Sequence, residues 1–240
     1  MEDCLTDQNI SAPPLNALQV TGRVATHVHD LADPACVLHP QAAVALRAMW
    51  AEARQGGIHL SVVSAFRDFN RQLAIWTQKF SGQRPLRDRA GAVIDRTQLY
   101  ESALIDAILL WSALPGASRH HWGSDFDVVD GAALAPGEHA QLVPQEYAPG
   151  GRFERLSGWL DSNMRRFGFF RPYATDQGGV QPEPWHLSFA PVAVPALRVL
   201  SLDVLREAIQ DADMPGKQTV LARLPEIYER YVLAVDRPLG

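Results

Sequence analysis

Apolar residues recur along this chain in two rhythms, and the switches between them mark out its elements. From Pro40 the spacing is helical: Pro40 suits a first turn, Val44, Leu46, Met49 and Trp50 follow, and Gly56-Gly57 stops the run. Residues 58–64, IHLSVVS, alternate and are β-branched, which predicts a strand, and Asp68 then caps a helix running through Leu73, Ile75, Trp76 and Phe80. Beyond a stretch rich in Arg, Pro and Gly, the spacing of Leu99, Leu104, Ile108 and Leu109 predicts a helix from Thr97 to Leu114, closed by Pro115-Gly116. The end of SRHHWGSDFDVVD alternates as a short strand closed by Gly131, and residues 153–167 read as a helix. FGFFRPY, a turn at DQGG and PEPWHLSFAP read as a β-hairpin, and the tail as two amphipathic helices with Pro225 bending the second.

Helices and strands mix without a repeating βαβ rhythm, so the expected fold class is α+β, a small, mainly antiparallel sheet flanked by helices. Three regions are expected: an N-terminal arm over 1–39, where Pro13, Pro14, Pro34 and Pro40 favour short extended pieces; a central domain over 40–194; and an appended C-terminal helical pair over 195–240.

Charge narrows the function classes. A formal net charge of −5 lacks the basic footprint of a nucleic-acid binder. Arg84, Arg87 and Arg89 cluster, but Asp88 lies among them and Asp95 follows, which reads as a solvated loop. No apolar run is long enough to span a membrane. The first residues, MEDCLTDQNISAPPLN, lack a secretory signal, so the sequence as it stands suggests the cytoplasm, or the periplasm if a signal peptide has been removed. Two cysteines, Cys4 and Cys36, are too few for a disulfide framework. Oligomeric state is not legible.

The densest stretch of metal-competent side chains is Ser118 to Asp130. A catalytic zinc takes three protein ligands, nitrogen or oxygen, and keeps a fourth position open. His120 and Asp127 supply two if a turn at Gly123 folds the segment back, and EPWH at 183–186 offers His186 as the third. Glu183, three residues earlier, suits a general base that takes a proton from the attacking water. Arg67, at the end of the predicted strand, suits a fixed cation for the developing oxyanion. His121 neighbours a ligand but points away from it in extended chain, and His27 with His29 share one strand face without an attached carboxylate motif. Trp122 and Trp185 flank ligands and suit cleft walls.

Together these segments resemble the LAS metallopeptidases, the family of lysostaphin-type enzymes, D-Ala-D-Ala carboxypeptidases and sonic hedgehog, and they are most similar to its VanY-type and LdcB-type carboxypeptidases. The family pattern SxHxxGxxxD stands as Ser118, His120, Gly123 and Asp127; ExxH as Glu183 and His186; and SxxR followed by Gln as Ser64, Arg67 and Gln72. The resemblance covers residues 40–190. It implies a hedgehog/DD-peptidase-like fold, a Zn2+ cofactor on His120, Asp127 and His186, Glu183 as base, Arg67 as oxyanion partner, and Ser118, Gln72, His121 and Trp185 lining a peptidoglycan stem peptide or muropeptide. The implied activity is removal of a C-terminal D-alanine, at a D,D- or an L,D-bond. A peptidoglycan endopeptidase and a non-catalytic zinc-bearing muropeptide-binding module stand as the alternatives. One departure is Asp125, which adds a negative charge beside the metal where vancomycin-resistance members often carry a small residue.

Overall fold

The central strand of the main sheet buries all six of its residues, and the other elements are arranged to cover it. The structure is a computed structural model that describes residues 14–238. Cys4, in the N-terminal arm, lies outside the described residues.

The order begins with a one-turn helix α1 (Ala17–Val20) capped by Asn16, then a hairpin of β1 (His29–Ala32) and β2 (Ala35–Leu38). Helix α2 (Pro40–Gln55) follows, with His39 as its N-cap and Pro40 in its first turn. Strand β3 (Leu60–Ser64) leads to α3 (Phe69–Ser81), where the Asp68 carboxylate accepts from Arg71 N at 2.7 Å. A two-residue hairpin, β4 (Leu86–Arg87) with β5 (Val93–Ile94), precedes α4 (Glu101–Leu109). Strand β6 (Asp125–Asp130), α5 (Glu154–Asn163), β7 (Phe169–Phe170) and β8 (His186–Phe189) complete the central part. Helices α6 (Ala190–Val199), α7 (Leu202–Gln210), α8 (Lys217–Ala222) and α9 (Leu224–Ile227) form the tail, which ends in a π-helical turn over Tyr228–Leu233. The main sheet is fully antiparallel, in the order β3-β6-β8-β7. The fold is therefore α+β, as the mixed rhythm predicts. Among the described residues no helix is long and apolar enough to cross a membrane.

Four local expectations are corrected. The buried stripe of α2 is Ala42, Leu46, Met49 and Ala53, so Val44 lies off it and is 69% exposed. The helix expected over 97–114 is confined to Glu101–Leu109. Asp95 caps a separate 3-10 turn over Arg96–Gln98, and Leu99 is extended before Tyr100 opens α4. The 171–185 connection between β7 and β8 is a long excursion rather than a tight turn. Its backbone is tied outside itself where Gln181 N donates to Leu110 O, and it is closed within itself where Glu183 N donates to Tyr173 O, next to the antiparallel β7–β8 pairing that the expected hairpin requires. Helix α6 had no counterpart in the periodicity, since Pro191 and Pro195 obscure it; it straddles the boundary expected at 194/195.

The tail helices share one apolar core with the sheet, through residues such as Leu205, Ile209, Val220 and Leu224. They are fastened on the side of α3 and α4: Trp76 donates to Pro215 O at 3.0 Å, and Arg223 reaches Asp106 at 2.8 Å and Ser102 Oγ at 2.6 Å.

Buried neutral histidines make this fold acid-sensitive. The His39 ring accepts from Gln41 N through Nδ1, and burial, reinforced by His27 and His29, pushes its pKa down to about 4. An unfolded histidine titrates near 6.5, roughly, so the unfolded chain takes up the proton first and stability is lost as pH falls from there toward 4. We expect thermal unfolding midpoints to drop over that window, and less steeply in His39→Asn, which keeps a capping acceptor and removes the titration.

Candidate active site

Register brings the site together. Asp127 on β6 stands opposite Ser64 of β3 on one side and His186 of β8 on the other. An irregularity in the β3–β6 ladder between Val62 and Ser64 sets the first pairing. Past Ser64 the chain leaves the sheet, and Arg67 N donates to His120 O at 3.2 Å. His120 lies in a 3-10 turn over Arg119–Trp122 that ends at Gly123, φ 66°. A side chain there would be strained and would set its Cβ 2.4 Å from Val28 Cγ1 and 2.8 Å from His39 N, so only glycine lets this turn seat against the hairpin and α2.

His120, Asp127 and His186 are all buried, and one donor atom from each lies within 4.8 Å of the others. Asp127 Oδ2 is 3.6 Å from His120 Nε2, and Asp127 Oδ1 is 3.5 Å from His186 Nδ1. Donors each about 2.0–2.2 Å from a shared tetrahedral ion stand roughly 3.4 Å apart, and each histidine approaches that distance to one oxygen of Asp127. The far nitrogens are already engaged: His120 Nδ1 lies 2.8 Å from Ala65 O, and His186 Nε2 lies 3.1 Å from Asp125 Oδ1. Each ring is thereby oriented with its other nitrogen toward Asp127. Asp127 Oδ1 is buried without a hydrogen-bond partner, the condition a bound cation would relieve.

Electrostatics agree with that fit. Burial, with the nearby Arg67 and His186, drives the His120 pKa well below its ordinary value, which leaves a neutral imidazole. Burial lifts the Asp127 carboxyl to about 6, since His186 and Arg67 offset it only in part. Burial also opposes a proton on His186, but Asp125, Glu183 and Asp127 outweigh it and raise its pKa to about 9. A divalent cation inverts this balance by taking the place of the proton.

Glu183 reaches the cluster from the excursion before β8, its Oε2 3.2 Å from His186 Nδ1. Arg67 approaches from the other side, Nη2 3.9 Å from Asp127 Oδ2. Ser118 and Trp185 are at the site: Ser118 lines a small cavity of about 50 Å³ with Tyr173, Val180 and His186, and Trp185 lines a cleft of about 600 Å³. Arg67, His120 and Glu183 border both, so the cluster sits where the large cleft meets the small cavity.

Two residues expected to line a substrate are instead behind the site. Gln72 is 1% exposed; its Oε1 accepts from Arg67 Nη1 at 3.0 Å and its Nε2 donates to Ala113 O at 2.7 Å. His121 is fully buried, with Nδ1 2.6 Å from Arg67 O and Nε2 accepting from Gly116 N. Both hold Arg67, and neither lines the large cleft or the small cavity. Trp122 is likewise buried and donates to Val20 O, so it is core rather than cleft wall. His27 is tied to His121 O. Arg84 and Arg87, expected in a solvated loop, line the large cleft, while Arg89 pairs with Asp176 at 3.0 Å.

Sequence reasoning missed Arg119, Tyr173, Trp111 and Lys79. The extra charge of Asp125 is answered by Arg119, whose Nε donates at 2.8 Å while its Nη2 donates to Ser188 Oγ at 2.6 Å. Burial pushes the Asp125 carboxyl up, yet Arg119, His186 and Ser124 together hold it below the ordinary range. An acid six residues from an arginine, across a turn, has no periodic signature. Tyr173 stands edge-on to His186 with ring centroids 5.2 Å apart.

The chain is similar to known proteins in sequence and in fold. It is a protein with a His-Asp-His cluster on a small antiparallel sheet. The family model described as VanY, D-alanyl-D-alanine carboxypeptidase, matches residues 35–192, and the chain belongs to that family of peptidases. An uncharacterized protein of Haemophilus influenzae is 35% identical over 122 residues, covering 50% of this chain and 93% of that protein. A D-alanyl-D-alanine carboxypeptidase of Enterococcus faecalis is 30% identical over 148 residues, 60% of this chain and 45% of that protein. Similar solved structures include VanYB in complex with D-Alanine-D-Alanine, at 23% identity and TM-score 0.49 over 78% of this chain and 89% of that one. The LdcB LD-carboxypeptidase is 22% identical with TM-score 0.46 over 81% and 69%.

Truncating Asp125 would strand a buried guanidinium. We expect Asp125→Ala to cost about 3–5 kcal/mol in urea unfolding, and the pair Asp125→Ala with Arg119→Met to recover most of it. Equal loss in the single and double variants would mean that the ion pair is not what stabilises this region.

Proposed function

We propose that the protein is a zinc-dependent carboxypeptidase that removes a C-terminal D-alanine from peptidoglycan stem peptides. The observation that carries this reading is the convergence of three buried donors, Glu183 and Arg67 at the mouth of a cavity of only about 50 Å³. Family membership supplies the substrate class. The small size of this cavity beside the cluster favours a short terminal residue, and so trimming a terminus over cutting inside a chain.

His120 through Nε2, Asp127, and His186 through Nδ1 would hold the ion; two nitrogens and a carboxylate with an open position suit zinc. When bound, zinc acidifies a water and polarises the scissile carbonyl. Glu183 Oε2 takes the proton of the attacking water and passes it to the leaving amine, so the carboxylate ends the cycle as it began. Arg67 offers Nη2 to the oxygen that gains charge in the transition state. Its position is set in advance by Gln72 on Nη1, His121 on its carbonyl and His120 on its amide. Such preorganisation spares reorganisation during reaction. Ser118 and Tyr173 close the small cavity around the departing residue.

The test is mass spectrometry of tetrapeptide and pentapeptide muropeptides incubated with zinc-loaded protein. Loss of one alanine from the pentapeptide alone assigns a D,D-bond, and loss from the tetrapeptide an L,D-bond. Glu183→Ala is expected to lower kcat by about 10²–10⁴-fold while still binding one equivalent of zinc. Arg67→Ala is expected to lower kcat by roughly 10²–10³-fold. Intact peptides with stoichiometric zinc bound would sink the carboxypeptidase reading in favour of an endopeptidase or a binding module.

A further inference from the structure

Resting on that reading, we propose that the large cleft is built to recognise free carboxylates on substrate residues N-terminal to the scissile bond, so that the enzyme selects acidic stem peptides over their amidated counterparts. The cleft of about 600 Å³ has one cationic wall. Arg71 and Lys79 come from one face of α3, at i and i+8, while Arg84 and Arg87 come from the chain entering the β4–β5 hairpin. The carboxylates bordering the cleft are Asp127 and Glu183, both at the metal-binding end. Trp111 and Trp185 also line the cleft, stacked with centroids 6.5 Å apart, and Trp111 Nε1 donates to Asp88 O at 2.9 Å beside Arg87.

Four cations on one wall are unexpected in a chain of net charge −5. Among the described residues, none of these four side chains forms an ion pair with an aspartate or glutamate, although Arg89, Arg119, Arg152, Arg166, Arg171 and Arg223 all do. Lys79 is half-buried, and burial presses its pKa down to about 8; Glu183 offsets this in part, while Arg84, Arg67 and Arg87 add to it. Crowded like charges cost stability in the free protein, and a low-dielectric cleft lined by one sign of charge concentrates the opposite sign. Anions are what relieve that cost.

Direction follows from the two cavities. The small one takes the departing C-terminal residue, so the cationic wall faces the part of the peptide that precedes the cleaved bond. That part can carry carboxylates close together, on side chains or at γ-linked residues. A neutral amide in their place would leave the guanidinium and ammonium groups unanswered. Carboxylates at that position, rather than the terminal one, are therefore the predicted determinants.

The experiment compares full-length, zinc-loaded protein on matched stem peptides in free-acid and carboxamide form, at low and high ionic strength. Expected is a preference for the acid form of about tenfold or more in kcat/KM, expressed in KM and shrinking with salt. Lys79→Met and Arg84→Gln are each expected to reduce the acid-to-amide ratio severalfold, with zinc stoichiometry retained. Using two variants keeps the test open should one fail to fold. Equal turnover of both forms by the wild type, or variants that lower both forms by the same factor, would overturn the proposal. If neither form is hydrolysed, the carboxypeptidase reading has failed on its own, and calorimetric titration of Glu183→Ala with the two forms still decides the anion preference: tighter binding of the acid supports it, and equal binding overturns it.

Discussion

A carboxylate cannot be taken out of water without a partner, and β6 takes out three: Asp125, Asp127 and Asp130 all lie in a strand buried along its whole length. Much of the surrounding architecture can be traced to meeting that demand. Asp130 is answered by backbone, accepting from His59 N at 3.2 Å and Ala132 N at 3.1 Å where the strand ends. Asp125 is answered by Arg119, Ser124 and His186. Asp127, between them, faces two imidazoles and the more distant Arg67, with one oxygen unpartnered by any hydrogen bond. The middle carboxylate is the one left with a buried, unpartnered oxygen, which a proton or a bound cation would satisfy.

Each group around that point is held from behind. The histidine rings are oriented through their far nitrogens, one by a backbone carbonyl and one by Asp125. Arg67 is held at its amide, carbonyl and guanidinium. Gln72 and His121 thus share a task that looks unlike either of their chemistries: fixing a cation they never replace. Asp125, which in isolation adds charge beside the His-Asp-His cluster, becomes with Arg119 a neutral unit that sets the orientation of His186. The electrostatic cost of one acid is met by one arginine that stands between the serine and the histidine of the family's pattern.

The substrate side is organised by a different rule. Residues near the cluster balance their charges, whereas the wall of the large cleft leaves cations without acidic partners. Both arise from the same elements: α3 carries Gln72 inward and Arg71 and Lys79 toward the cleft, so one helix serves the buried scaffold on one face and the open pocket on another.

The sequence by itself determined the α+β class, the Pro40 and Asp68 helix starts, the strands around Ser64, Asp127 and His186, and the identity of the cluster. These are legible because they are local: caps, periodicity and short motifs act over a few residues. It could not separate Gln72 and His121 from the cleft, foresee Arg119 beside Asp125, or bring Arg84 and Arg87 out of an apparently solvated loop, and it overextended the helix before Leu114. Those outcomes depend on which distant backbone groups meet: Ala113 O at Gln72, Arg67 O at His121, the seam between α3 and the β4–β5 hairpin. A motif records which side chains are present, but burial and register decide whether a given atom faces a ligand or is consumed holding its neighbour, and both exist only once the sheet has assembled.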